Sequence, residues 1–171
     1  MPRFEHQRHK PPTPLKLPRE LIVACAPLRS NINLSRIVRT AGCCGVRQVI
    51  CCGTAKIVRK IARDAVDDEN ESAVEILVHR TLAPPLAELR RQGYCLVGLE
   101  QTTGSENLQT FAFERRTVLV VGNERLGLAE ETLSLVDHVV EIPVYGLPYA
   151  YNVATATAMA LYEFCRQFPN G

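Results

Sequence analysis

The stretch LIVACAPLRSNINLSRIVRTAGCCGVRQVICC, residues 21–52, sets the architecture. LIVACA (21–26) is an unbroken apolar run, the pattern of a strand covered on both faces. QVICC (48–52) repeats it and stops at Gly53. Between them, residues 33–44 carry Leu34, Ile37, Val38 and Ala41 at helical spacing. Two strands joined through a helix predict a parallel pair with a crossover. The same helix holds Asn33, Arg36 and Arg39, three apart and therefore expected on one face. An amide and two guanidiniums there suit either a solvated face or an anionic ligand.

The alternation continues along the chain. AKIVRKIARDA (55–65) has helical spacing with basic positions, and DDENES (67–72) reads as an acidic loop. LAPPLAELRRQG (82–93) starts a helix after its prolines and stops it at Gly93. Residues 94–100, 117–122 and 138–144 read as strands, 129–136 as a short helix and 152–168 as a long one with Asn152 as its N-cap. This predicts one α/β domain over 20–171, a parallel sheet with helices on both faces. Residues 1–19 form a basic, Pro-rich tail, read as a solvated strap in preference to a polyanion-binding arm.

Composition narrows the function by exclusion. The chain has 171 residues, 46% hydrophobic and 22% charged, enough for a core of its own. Twenty Lys+Arg against 18 Asp+Glu leave a net charge of +2, so only local clustering can mark a nucleic-acid surface. The absence of a long apolar run or signal-peptide pattern argues against a membrane protein and for a cytoplasmic one. Seven cysteines in apolar surroundings suit buried thiols better than a metal site, because no C-x-x-C occurs and no His lies near. No metal is expected.

In parallel sheets, ligands bind beyond the carboxyl ends of the strands. Three loops there stand out. VVGNERLGL (120–128) has Gly122 and Gly127 around Glu124 and Arg125. Either the glycines make a tight turn or they let a ligand approach exposed amides. EIPVYGLPYAYNVATATA (141–158) gathers Tyr145, Tyr149 and Tyr151 before the final helix. Those rings suit stacking on a base or packing at a subunit interface. GLEQTTG (98–104) follows another strand. No nucleophile–histidine pairing and no acid/base carboxylate couple is marked out elsewhere.

Together these segments resemble the SpoU (TrmH-like) branch of the SPOUT methyltransferases. NLSRIVRTAGCCGV (33–46) is similar to that family's first motif, VLVVGNERLGL (118–128) to the second and EIPVYGLPYAYNVATATAMALYE (141–163) to the third, in the same order. The likeness covers roughly residues 20–168. It implies a C-terminal trefoil knot, a rare exception to unknotted chains. It further implies a homodimer that transfers methyl from S-adenosylmethionine to a ribose 2′-hydroxyl of tRNA, or less readily rRNA. Carried over by position, the site comprises Arg39, Asn33, Glu124 and Asn152. Cofactor contacts would come from Glu100, Gln101, Gly122, Asn123, Ile142, Ala150, Tyr151 and Asn152. Ala150 stands where the family has Ser, and Tyr151 where it has Leu. That substitution keeps a second reading open, an RNA-binding protein of this fold with weak or no catalysis. An α/β enzyme for another nucleotide lacks a Rossmann or Walker motif. Arginine is normally fully protonated, so Arg39 suits holding phosphate and stabilising oxyanion charge better than acting as a base. Asn33 and Glu124 would orient it.

Overall fold

Alternate residues of the first strand feed two different cores. In the computed structural model, which describes residues 3–7, 10–53 and 74–171, strand β1 (Leu21–Cys25) buries all five residues. Leu21, Val23 and Cys25 join one apolar cluster, Ile22 and Ala24 the other. That is why the run is apolar throughout rather than alternating. The first cluster is closed by helix α1 (Asn31–Cys43) and the long C-terminal helix α4 (Val153–Gln167), through Leu34, Ile37, Val38, Leu161 and Phe164. The second is closed by α2 (Ala83–Arg91), through Leu86 and Leu89.

The remaining strands are β2 (Gln48–Cys52), β3 (Glu75–His79), β4 (Cys95–Leu99), β5 (Glu106–Asn107), β6 (Thr117–Val121) and β7 (His138–Glu141). They form one sheet in the order β3-β2-β1-β6-β4-β7-β5, every pairing parallel. A parallel sheet with both faces covered is what the apolar runs predict. The short α3 spans Glu130–Leu133. The expected helix at 55–65 and the acidic loop at 67–72 lie outside the described residues.

Two strands escaped the sequence reading. β3 is an edge strand whose residues are at most half-buried, so EILVH lacks a distinct apolar signature. β5 has two residues and exists only through its pairing with β7. Boundaries also moved. α1 begins at Asn31, two residues before the expected start, because the Ser30 hydroxyl accepts from the Asn33 amide and caps it. β7 ends at Glu141, before Ile142 and Pro143. Asn152 caps α4 as expected, its side-chain oxygen accepting from the Ala154 and Thr155 amides.

Next to the tail's end, the Lys16 and Leu17 amides both donate to the Asn170 carbonyl, at 3.0 and 3.2 Å. Arg19 is buried and donates to the Phe168 carbonyl. Residues 16–19 are thus strapped across the end of α4. Among the described residues no helix is long and apolar enough to cross a membrane.

Candidate active site

At the carboxyl ends of β4, β6 and β7 lies a cavity of about 310 Å³, within the usual size of small-molecule sites. Three loops separated by tens of residues wall it. One carries Glu100 and Gln101, the next Gly122 to Arg125 and Gly127, and the third Ile142 and Ala150 to Asn152. All eight residues expected to contact a cofactor line it: Glu100, Gln101, Gly122, Asn123, Ile142, Ala150, Tyr151 and Asn152. The sequence reading did not assign Glu141, Arg125, Val153 or Ala156 to the cofactor site, yet they also line it. Glu141 ends a strand and Ala156 sits on the first turn of α4, positions that only the packing turns toward the cavity.

The turn at 122–128 is built by its glycines. A Cβ on Gly122 would stand 2.4 Å from the Gly127 carbonyl carbon. Gly127 has φ +64°, and a Cβ there would meet the Glu100 carboxylate at 2.3 Å. The Asn123 and Gly127 amides each donate to the other residue's carbonyl, at 3.0 and 2.9 Å. The Asn123 side-chain oxygen accepts from the Arg125 and Leu126 amides, and its nitrogen donates to the Pro27 carbonyl. Glu100 accepts from the Leu128 and Gln101 amides. The tight turn therefore accounts for both glycines and occupies most of the loop's amides. Asn123 and Glu100 offer the cavity their remaining faces and backbone.

Glu124 and the two asparagines meet in one relay. Glu124 Oε2 accepts from the Arg29 amide at 2.8 Å, and Oε1 from the Ser30 amide at 2.9 Å. Oε1 also accepts from Asn33 Nδ2 at 3.0 Å. Asn33 Oδ1 in turn accepts from Asn152 Nδ2 at 3.2 Å. Burial pushes the Glu124 carboxyl up, but the Arg29 amide, the Asn33 side chain and the amides of Glu124 and Ser30 outweigh it and hold it at about 2. The carboxylate also sits at the positive N-terminal end of α1. It is fixed as an acceptor and cannot exchange protons near neutrality.

Arg39 stands apart from this relay. It is exposed, as is Arg36, whereas Asn33 is 7% exposed and turned inward. The expected single face therefore splits. Each three-residue step falls about 60° short of a full turn, so Arg39 points roughly 120° away from Asn33. Asn33 and Glu124 are bonded to each other and make no hydrogen bond to Arg39. Among the described residues nothing holds the Arg39 guanidinium. Of the tyrosine trio, Tyr151 lines the cavity, while Tyr145 and Tyr149 are exposed beside it.

Residues 20–162 match the SpoU rRNA Methylase family. The chain belongs to that family. A tRNA (guanosine(18)-2′-O)-methyltransferase of Escherichia coli K12 is 30% identical over 151 residues, 88% of this chain and 65% of that protein. The chain thus spans just under two thirds of that relative's length. The crystal structure of the A. aeolicus TrmH/SpoU tRNA modifying enzyme superposes with a TM-score of 0.74 at 29% identity, covering 90% of this chain and 77% of the other. The SpoU methyltransferase AviRb from Streptomyces viridochromogenes, solved in complex with AdoMet, gives a TM-score of 0.73 at 25% identity over 88% of this chain and 58% of its own. The trefoil knot expected near the C-terminal end follows from membership of this fold family.

Proposed function

We propose that this SpoU-family chain methylates a ribose 2′-hydroxyl of RNA, with tRNA the first substrate to test, using S-adenosylmethionine bound in the cavity of about 310 Å³. One observation carries the reading: the second and third motif segments wall that cavity together with the Glu100 loop, and Asn33 of the first motif is tied to their Glu124 and Asn152 in one relay. The lining suits the cofactor. Glu100, Glu124 and Glu141 face it against one guanidinium, Arg125, so the potential favours a sulfonium cation. Tyr151 offers a ring for a purine to lie against.

When bound, S-adenosylmethionine supplies a methyl group on positively charged sulfur, open to in-line attack by an oxygen nucleophile. The chain's own residues do the rest. Glu124 clamps the N-terminal end of α1 through the Arg29 and Ser30 amides and fixes the Asn33 amide. Asn152 caps α4 and ties its start to Asn33 of α1. Arg39, free on the outer face of α1, holds the phosphate next to the reacting ribose and stabilises charge developing on its oxygen. Asn33 and Glu124 serve it by placing its helix rather than by touching it.

The working unit in this reading is a cytoplasmic homodimer without metal. Ile32, Leu126, Tyr145, Leu147, Tyr149 and Tyr162 are all at least 65% exposed. Large apolar side chains left in water support a protein interface.

The test is transfer of labelled methyl from S-adenosylmethionine into tRNA and, separately, rRNA, with wild type and Arg39→Ala compared. Label in one pool, reduced by about 10²–10³ in the variant, is the expected result. Cofactor binding without label in either pool favours the second reading, an RNA-binding protein weakened by Ala150. Light scattering checks the dimer.

A further inference from the structure

Away from the cavity, two cysteines meet beside a buried arginine. Cys44 is the C-cap of α1, and Cys165 lies in the last turns of α4. The Cys165 thiol donates weakly to the Cys44 carbonyl at 3.8 Å, which brings the two cysteines together. Both residues are half-buried. Arg19, 7% exposed, lies beside Gly45, the residue after Cys44, and over the Phe164 ring, the residue before Cys165. Its Nε lies 3.6 Å from where a Cβ on Gly45 would stand. One terminal nitrogen donates to the Phe168 carbonyl, but Nε is buried without a partner.

A buried guanidinium is costly unless a counter-charge compensates it. Among the described residues no carboxylate pairs with Arg19. A thiolate is the anion within reach. The Cys44 thiol donating to Cys165 lowers the latter's pKa, burial opposes this, and Arg19 adds to the lowering, leaving it at about 7. On ionisation Cys165 loses its weak bond to the Cys44 carbonyl, and the Arg19 charge favours the thiolate. The other adjacent pair differs. Cys25 and Cys51 are register partners on neighbouring strands, fully buried, and their mutual hydrogen bond and burial push the Cys25 thiol up.

We propose that Cys44, Cys165 and Arg19 form an oxidisable dithiol site, which a hydroperoxide converts into a disulfide joining α1 to α4. The Cys165 thiolate attacks one oxygen of hydrogen peroxide. The O–O bond breaks, Cys165 becomes a sulfenic acid, and the departing hydroxide takes a proton and leaves as water. The Cys44 sulfur then attacks the Cys165 sulfur while its proton passes to the departing hydroxyl. The S–O bond breaks, a second water leaves and the disulfide is complete. Two thiols are oxidised, one peroxide is reduced to two waters, and a thiol reductant reverses the change. The bond would fasten the far ends of the two helices that Asn33 and Asn152 already join at the cavity.

The test uses the full chain carrying Cys43→Ser, since Cys43 and Cys44 share one tryptic peptide. After stoichiometric hydrogen peroxide, peptides are mapped by mass without reduction. The expected product is the 44–165 cross-link, lighter by two hydrogens, abolished by dithiothreitol and accompanied by a higher melting temperature. Arg19→Gln should slow its formation several-fold at neutral pH. Cys44 and Cys165 both still free for alkylation, or Cys165 carried on to the sulfinic acid without a cross-link, would overturn the proposal. An unchanged rate in a folded Arg19→Gln protein would remove Arg19 from the site.

Discussion

Asn33 donates its side-chain amide to Glu124 at 3.0 Å across 91 residues of sequence. Glu124 holds that contact together with the Arg29 and Ser30 amides, and Asn33 passes it on to Asn152. A single carboxylate thereby joins the loop after β6, the start of α1 and, through one amide, the start of α4.

The carboxylate's depressed pKa has a definite sign. Because the folded value of about 2 lies below the ordinary 4.5, Glu124 contributes stability that is present above pH 4.5 and is lost as pH falls toward 2. Glu124→Gln should therefore melt lower than wild type at neutral pH, and the gap should narrow through that window. Melting temperature measured against pH checks this. A constant gap down to the acid end would show that the charge does not matter.

The asparagines act together. Asn152→Ala removes the cap of α4 and should cost about 1 kcal/mol. Asn33→Ala strips donors and acceptors from a buried position and should cost about 1–3 kcal/mol. Because Asn152 Nδ2 donates to Asn33 Oδ1, the double variant should lose at least about 0.5 kcal/mol less than the sum. Urea unfolding of the four proteins measures the coupling, and strict additivity would mean the 3.2 Å contact is energetically idle.

Two glycines give opposite expectations. Gly122→Ala drives a methyl into the Gly127 backbone at 2.4 Å. It should cost about 1–3 kcal/mol or more and abolish cofactor binding by displacing the turn. Gly104→Ala meets nothing within 4 Å and should stay within about 0.5 kcal/mol of wild type. Calorimetric melting with a cofactor titration of each variant separates turn geometry from a general dislike of alanine.

Truncation tests the strap. Removing residues 1–14 leaves the Lys16 and Leu17 bonds to Asn170 and should leave the urea midpoint unchanged. Removing residues 1–18 deletes both bonds and the packing of Leu15 against Gly45, and should cost about 2 kcal/mol. Equal midpoints for the two truncations would show residues 15–18 to be an ornament.

The sequence by itself determined the layers. Unbroken apolar runs at 21–26 and 118–121 mean strands buried on both faces, and that pattern is local, so it survives without coordinates. The cap at Asn152 was legible for the same reason, since a cap satisfies amides two and three residues away. Motif resemblance picked out eight of the cavity-lining residues, and the fold brings them to one place. Tertiary structure decided what each side chain does there. Glu124 and Asn33 read as partners of Arg39, yet they bond each other, because helical drift between positions 33 and 39 turns one inward and the other out. β3 and β5 emerged only from pairing, since an edge strand and a two-residue strand carry too little burial to shape their own sequence. Cys44 and Cys165, 121 residues apart, were two cysteines among seven until α1 and α4 packed together over Arg19. Spacing records what the chain does within a few residues; which distant polar groups meet is settled by how the buried faces of the helices close on the sheet.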